Sequence, residues 1–232
     1  MTGCSAGSYA SLLWSTDIMK HYESIAAPTK VVQFGDSGMG IIRNLDLIVQ
    51  VWNFSATLPG LELFSPNHEI YDNVYSNLTM PLLYKTAALK YPKHIFSQFA
   101  PSYDWNQALF LKRMKTKKPT FVINLEDKIA WNNEMKQLYQ DFNFSSIPNY
   151  HEFIPEGDYH CVIAANRYYT TSGYDILDRS STKIFLYQWV QQMTRNQTVP
   201  QSVGCKGEAA CRRECDFIEV EAQEKLPKNF FG

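Results

Sequence analysis

Five residues near the start of the chain, Gly3-Cys4-Ser5-Ala6-Gly7, form a G-x-S-x-G motif. In enzymes this motif is a sharp strand-to-helix turn that exposes a serine as a nucleophile. The serine of such a turn has strained backbone geometry, and glycine on both sides removes side chains that would clash there. The motif therefore predicts Ser5 as the nucleophile of an acyl-transfer reaction, with Gly3 and Gly7 as the glycines that permit the turn.

A serine nucleophile needs a base that takes its proton and a carboxylate that orients the base. Around a turn of this kind the chain order is serine, acid, histidine, and the last two lie on loops after strands. His160 is the only histidine predicted on a loop after a late strand, so it is the candidate base. Asp36 and Asp104 each follow a predicted strand, and position alone leaves both open as the acid. The remaining histidines and acids are weaker candidates: His21, His68, His94, His151, Asp127 and Asp158.

The elements that must position these residues follow from apolar spacing and from glycine and proline breaks. Helices are predicted at 6–22, 43–53, 80–91, 105–114, 126–142 and 182–193, and strands at 30–34, 94–100 and 149–154. Strands that alternate with helices indicate an α/β fold, a layered sheet with helices on both faces. Only two residues precede the motif, which is too few for the strand that carries the serine. The sequence therefore predicts a sheet that is incomplete at the N-terminus.

Bulk properties exclude several classes of protein. The chain has 232 residues, a net charge of −1 and 45% apolar residues, so a sizeable core is expected and disorder is not. The balanced charge gives no indication of a nucleic-acid partner. No apolar run reaches the roughly 20 residues of a membrane helix. We expect a catalytic domain at 1–198 and a cysteine-containing extension at 199–232.

Sequons and cysteines indicate a secreted protein, although no signal peptide is present at Met1. Glycosylation sequons begin at four asparagines: Asn53, Asn77, Asn143 and Asn196. Cys205, Cys211 and Cys215 cluster in the tail, which is typical of an extension held by disulfides. The alternative, a zinc site, lacks a fourth ligand of the usual type nearby.

Four motifs in chain order resemble the pectin acetylesterase/Notum family of serine carboxylesterases. They are Gly3-Cys-Ser-Ala-Gly7, Gly35-Asp36-Ser-Gly38, Tyr103-Asp104-Trp-Asn-Gln107 and His160-Cys161. The resemblance implies an α/β-hydrolase-like fold and assigns Asp104 as the acid, which leaves Asp36 as a structural or pocket-wall residue. Members of the family carry a further segment before the turn, including a loop that donates one oxyanion N–H.

The resemblance also implies an activity, hydrolysis of carboxylic esters on a polysaccharide, with acetyl as the expected acyl group. The N–H of Ala6 would be one oxyanion donor, and neither a metal nor an organic cofactor is needed. Cys4 is expected to point away from Ser5 and to be buried or disulfide-bonded. Two alternatives stay open: an inactive carbohydrate-binding relative or incomplete fragment, and a protein O-deacylase or lipase-like acyl hydrolase. The expected partner is an acylated carbohydrate or an acylated protein.

Overall fold

A computed structural model describes residues 1–26, 28–41, 79–116, 121–175, 183–195 and 202–205. Within these ranges the chain forms a seven-stranded, mostly parallel sheet and six α-helices, so the predicted α/β class is confirmed. Several features of the sequence lie outside the described residues. They are the predicted helix at 43–53, His68, the sequon asparagines Asn53, Asn77 and Asn196, and the cysteines Cys211 and Cys215.

The strands run in the spatial order β1-β2-β3-β4-β7-β5-β6. Their bounds are β1 (Thr2–Cys4), β2 (Val32–Asp36), β3 (Ile95–Phe99), β4 (Tyr150–Phe153), β5 (Ser172–Asp175), β6 (Lys183–Phe185) and β7 (Val203–Gly204). The first four strands and β7 are parallel, whereas β5 pairs antiparallel with both β7 and β6. The strand β7 lies within the predicted extension 199–232.

The helices cover most of the remaining described residues. Their bounds are α1 (Ala6–Ser24), α2 (Met80–Lys90), α3 (Trp105–Thr116), α4 (Leu125–Asp141), α5 (Arg167–Thr170) and α6 (Leu186–Thr194), and a 3₁₀ turn spans Phe144–Ser146. The first four match the predicted helices to within two residues. The last prediction, 182–193, was wrong at its start, because Lys183–Phe185 pairs with β5 as a strand. Local apolar spacing does not reveal that pairing partner.

The short strand before Ser5 corrects an expectation of the sequence. Three residues form β1 because β2 supplies their hydrogen-bond partners, in a register that places Gly3 opposite Gly35. The N–H of Phe34 donates to the Met1 carbonyl over 2.8 Å, and the N–H of Ser5 donates to the Asp36 carbonyl over 2.7 Å. Because β2 is longer and supplies the hydrogen-bond partners, three residues are enough to form the strand β1.

The sheet has a hydrophobic core on each face. Along β3, Phe96 joins the cluster formed with α1, α2, α3 and α4, while Ile95 and Phe99 join the cluster formed with α6. This alternation is the two-residue period of a strand that is buried on both sides. The helices therefore lie on both faces, as predicted. None of the helices in the described part of the chain is long and apolar enough to cross a membrane.

Candidate active site

The residues of the predicted site gather at one edge of the sheet. Ser5 follows β1, Asp36 ends β2, Asp104 lies in the turn after β3, and His160 lies in the loop after β4. Because these four strands are parallel, their carboxyl ends meet at the same edge, where α/β proteins commonly bind ligands. The topology therefore brings together residues that are up to 155 positions apart in the chain.

Ser5 occupies a strained turn between β1 and α1. Its backbone has φ 56° and ψ −120°, and its side chain makes no capping hydrogen bond to α1. A serine at a helix N-cap ordinarily adopts extended geometry and caps the helix with its hydroxyl. Here the hydroxyl is released from that role, which is the geometry expected of a serine held for reaction.

The two glycines of the motif differ in their steric importance. A Cβ on Gly3 would lie 2.1 Å from the carbonyl oxygen of Gly7, so any larger residue there would displace the first turn of α1. A Cβ on Gly7 would meet no described atom within 4 Å. The expectation that both glycines prevent a clash is therefore correct for Gly3 and wrong for Gly7. The asymmetry arises because Gly3 faces the helix whereas the outer side of Gly7 is open.

Asp104 is a fully buried carboxylate with dense hydrogen bonding. Oδ1 accepts the N–H groups of Asn106 and Gln107, each over 3.0 Å, and Oδ2 accepts the side-chain amide of Gln107 over 2.9 Å. The other end of the Gln107 amide accepts the N–H of Met39 over 3.0 Å. These contacts fix the orientation of the carboxylate at the start of α3.

His160 contacts Asp104 through one nitrogen of its ring and leaves the other one unpartnered. Nδ1 lies 2.9 Å from Oδ1 and 2.8 Å from Oδ2 of Asp104. Nε2 is buried and has no hydrogen-bond partner among the described residues. The ring is thus held through Nδ1 by a carboxylate, and its second nitrogen is available to accept a proton. The structure brings together the predicted base and the acid that the family resemblance favoured.

A disulfide joins the turn that carries Ser5 to the loop that carries His160. Cys4 and Cys161 are bonded, and their Cα atoms lie 5.7 Å apart. Each cysteine directly neighbours one of the two candidate catalytic residues, so the bond limits how far Ser5 and His160 can separate. Of the two predictions for Cys4, burial or a disulfide bond, the disulfide bond is confirmed. Cys205 is disulfide-bonded as well.

The same cysteines do not form a metal site. One ring nitrogen of His160 and the sulfur atoms of Cys4 and Cys161 lie within 4.8 Å of one another. Zinc binds cysteine as a thiolate, but both sulfur atoms are bonded to each other. The contact therefore places the disulfide beside the histidine ring and does not create a ligand set.

The buried carboxylate of Asp36 binds the backbone of the loop that carries His160. Its Oδ2 accepts the N–H groups of Val162 and Ile163, each over 2.8 Å. Burial raises the pKa of the Asp36 carboxyl, and the donations from Ile163 and Val162 oppose that shift. The residue that the resemblance left as structural or pocket wall is thus a buried anchor of the loop after β4.

The rejected histidines and acids have other roles in the structure. Burial lowers the pKa of His151, within β4, to about 4, so its ring is neutral at pH 7. Asp158 forms an ion pair with Lys128 over 2.8 Å. Asp127 belongs to the capping box at the start of α4, with Asn124 as the N-cap. These residues belong to the strands, helix caps and ion pairs of the scaffold.

Sequence reasoning missed two features of the site, the Cys4–Cys161 pairing and the Asp36 anchor. The adjacency of each cysteine to a candidate catalytic residue was the one signal that pointed to the pairing. For Asp36 the motif Gly35-Asp36-Ser-Gly38 indicated a structural role, but nothing in the sequence pointed to its partners on the histidine loop, since they are backbone N–H groups, which any residue except proline provides.

Comparisons with known proteins do not extend these observations. Neither a protein-family model nor a curated protein nor a solved structure matches the chain. The function is therefore argued from the geometry of the site.

Proposed function

We propose that this chain is a serine hydrolase of carboxylic esters with an α/β-hydrolase-like fold, in which Ser5, His160 and Asp104 form the catalytic triad. One observation carries the proposal. A strained strand–serine–helix turn is bonded by the Cys4–Cys161 disulfide to a loop whose histidine already pairs with a buried carboxylate. A purely structural serine has no need of this arrangement.

The reaction follows from the roles of the three side chains. Ser5 Oγ attacks the ester carbonyl carbon while Nε2 of His160 accepts the hydroxyl proton. Asp104 holds Nδ1–H, fixes the tautomer and stabilises the imidazolium that forms. The tetrahedral intermediate then expels the alcohol, which takes the proton from Nε2. Water, activated by the same nitrogen, cleaves the acyl-serine and releases the carboxylic acid.

The start of α1 supplies the electrostatic part of the mechanism. Ala6 is the first residue of the helix, so its N–H has no acceptor within the helix. The helix dipole adds partial positive charge at the same end. We assign the Ala6 N–H as one oxyanion donor, a role that is typically worth about 10²–10³ in rate.

The resemblance to pectin acetylesterases supports an acetyl ester on a polysaccharide as the substrate. The alternatives are a protein O-deacylase or lipase-like acyl hydrolase and an inactive carbohydrate-binding relative. We also propose that the protein is secreted, because a disulfide is stable in oxidising compartments and the sequon residue Asn143 is exposed.

Ester hydrolysis by matched serine variants tests the proposal. We expect the wild-type chain to hydrolyse p-nitrophenyl acetate and to react with a fluorophosphonate probe. Ser5→Ala should lower hydrolysis by at least about 10³-fold and abolish labelling. Ser24→Ala, an exposed serine at the end of α1, is the control and should behave as wild type.

The outcomes separate the candidate functions. Equal rates for wild type and Ser5→Ala would refute the serine-hydrolase proposal and favour a binding protein. A series of p-nitrophenyl esters from acetyl to palmitoyl then measures acyl preference by kcat/KM. A maximum at long chains would favour the deacylase or lipase-like alternative over the acetylesterase.

A further inference from the structure

Asp36 connects the two halves of the candidate triad through a single residue. Its backbone carbonyl accepts the N–H of Ser5 over 2.7 Å, on the side of the nucleophile turn. Its carboxylate accepts the N–H groups of Val162 and Ile163 on the side of the histidine loop. The last residue of β2 is therefore a bridge between the nucleophile and the base.

Ser37 extends this bridge by one hydroxyl group. Its Oγ donates to Oδ1 of Asp36 over 3.1 Å and accepts the N–H of Cys161 over 2.9 Å. Three consecutive N–H groups after His160 are thus held by the Asp36–Ser37 pair. We call this pair the loop anchor.

The histidine loop needs such an anchor because part of it is strained. Cys161 has φ 58°, in the left-handed region that residues other than glycine avoid. Conformations of this kind persist only when the surrounding contacts determine them. The loop anchor and the disulfide act on the same residue, Cys161, from two directions.

The position of Asp36 also excludes the other role that the sequence left open for it. His160 Nδ1 is already paired with Asp104. Both carboxylate oxygens of Asp36 are occupied by the loop N–H groups and by the Ser37 hydroxyl. Asp36 is therefore not an alternative triad acid, and it acts on the histidine through the loop.

We propose that Asp36 is a positioning residue for His160: its carboxylate sets the loop after β4 so that Nδ1 meets Asp104 and Nε2 stays available to Ser5. The inference rests on the proposed triad and goes beyond it, because it assigns a second buried carboxylate to the reaction without making it a proton carrier. It also explains why a buried charge, which is costly to desolvate, is maintained at the end of β2.

Two variants test the proposal by removing different numbers of hydrogen bonds from the loop anchor. Asp36→Asn keeps one oxygen for the loop N–H groups but removes the charge and the second acceptor. Ser37→Ala removes only the hydroxyl between Asp36 and Cys161. Glu152→Gln is the control, since it also converts a buried carboxyl to an amide, on β4 and separated from β2 by β3, and none of its hydrogen bonds among the described residues reaches the loop after β4.

The first readout needs no substrate. In the wild type, the Nδ1 proton shared by His160 and Asp104 should give a downfield proton resonance that is absent from His160→Ala. We expect Asp36→Asn to shift or broaden this resonance strongly, Ser37→Ala to do so weakly, and Glu152→Gln to leave it unchanged. This resonance reports on the His160–Asp104 contact itself, so a variant that is less stable but still folded would not change it selectively.

The second readout is the rate of fluorophosphonate labelling at Ser5. We expect about a 10²-fold loss in Asp36→Asn, the size associated with misplacing a catalytic group by about 1 Å. Ser37→Ala should lose about fivefold and Glu152→Gln nothing. In steady-state ester hydrolysis, Asp36→Asn should lower kcat and leave KM unchanged, because the residue does not touch the substrate.

The results that overturn the inference are distinct from those that overturn the proposed function. A folded Asp36→Asn with the wild-type resonance and labelling rate refutes the positioning role. If Asp36→Asn does not fold, Ser37→Ala decides, and wild-type behaviour of that variant refutes the role. Absence of the resonance from the wild type contradicts the His160–Asp104 pairing and also overturns the inference. If the wild type lacks esterase activity but the resonance responds as expected, only the proposed function fails.

Discussion

Removing the Cys4–Cys161 disulfide should destabilise the protein strongly. The two cysteines are 157 positions apart in the chain, so the bond closes a loop that covers about two thirds of the 232 residues. In the chain-entropy account, a loop of this length stabilises the folded state by about 5 kcal/mol. For a chain of this size, that corresponds to a fall of roughly 10–20 °C in Tm.

The assay is equilibrium unfolding of Cys4→Ser/Cys161→Ser beside the wild type in guanidinium chloride, without reductant. We expect a lower unfolding midpoint with a similar slope. Because Cys205 is also disulfide-bonded, both proteins are measured again with a dithiol reductant. The difference between them should then vanish, because the reductant breaks the Cys4–Cys161 bond of the wild type and reduces any other disulfide equally in both proteins.

The same variant reports on the site. Loss of the bond frees the Ser5 turn from the His160 loop, so we expect slower fluorophosphonate labelling under conditions where the variant is folded. An unfolding midpoint equal to that of the wild type would refute the stability argument. An unchanged labelling rate would show that the loop anchor alone positions the histidine.

Two further predictions concern a buried acid and the glycines of the turn. Burial raises the pKa of Glu152 to about 7 from 4.5, and its Oε2 has no hydrogen-bond partner in the part of the chain that the structure describes. The folded state therefore binds the proton more tightly, and stability should fall by at most about 3 kcal/mol as pH rises from about 4.5 to 7. Glu152→Gln should lack this decline in stability. If urea unfolding showed the same decline with pH in both proteins, the assignment of the effect to Glu152 would be contradicted. Gly3→Ala should cost about 1–3 kcal/mol and slow labelling of Ser5, because its Cβ meets the Gly7 carbonyl. Gly7→Ala, in open space within α1, should be neutral or slightly stabilising, and equal thermal midpoints for the two variants would contradict the steric argument.

Much of the secondary structure could be predicted because its signals are local. The helix that follows Ser5 ends near its predicted limit, and the helix predicted at 126–142 is observed at Leu125–Asp141. Apolar residues at helical spacing, such as Trp131 and Met135, are buried as that pattern requires. The strands β5, β6 and β7 are two to four residues long, and unlike the four-residue β4 they are not part of a longer apolar run that predicts a strand.

In the candidate site, too, the features with local signals could be predicted and those that depend on distant contacts could not. The sequence by itself indicated the serine turn and the preference for His160 over the other histidines, since each depends on a short motif or on its position after a strand. It left Asp36 and Asp104 level as the acid, and only the family resemblance favoured Asp104. Only the tertiary structure decided that three residues suffice for β1, that Cys4 pairs with Cys161, and that Asp36 anchors the histidine loop. These features depend on contacts between segments 31 to 157 positions apart. Such contacts leave no periodic trace in the chain, because they are made by backbone groups and single side chains that meet only when the parallel strands align.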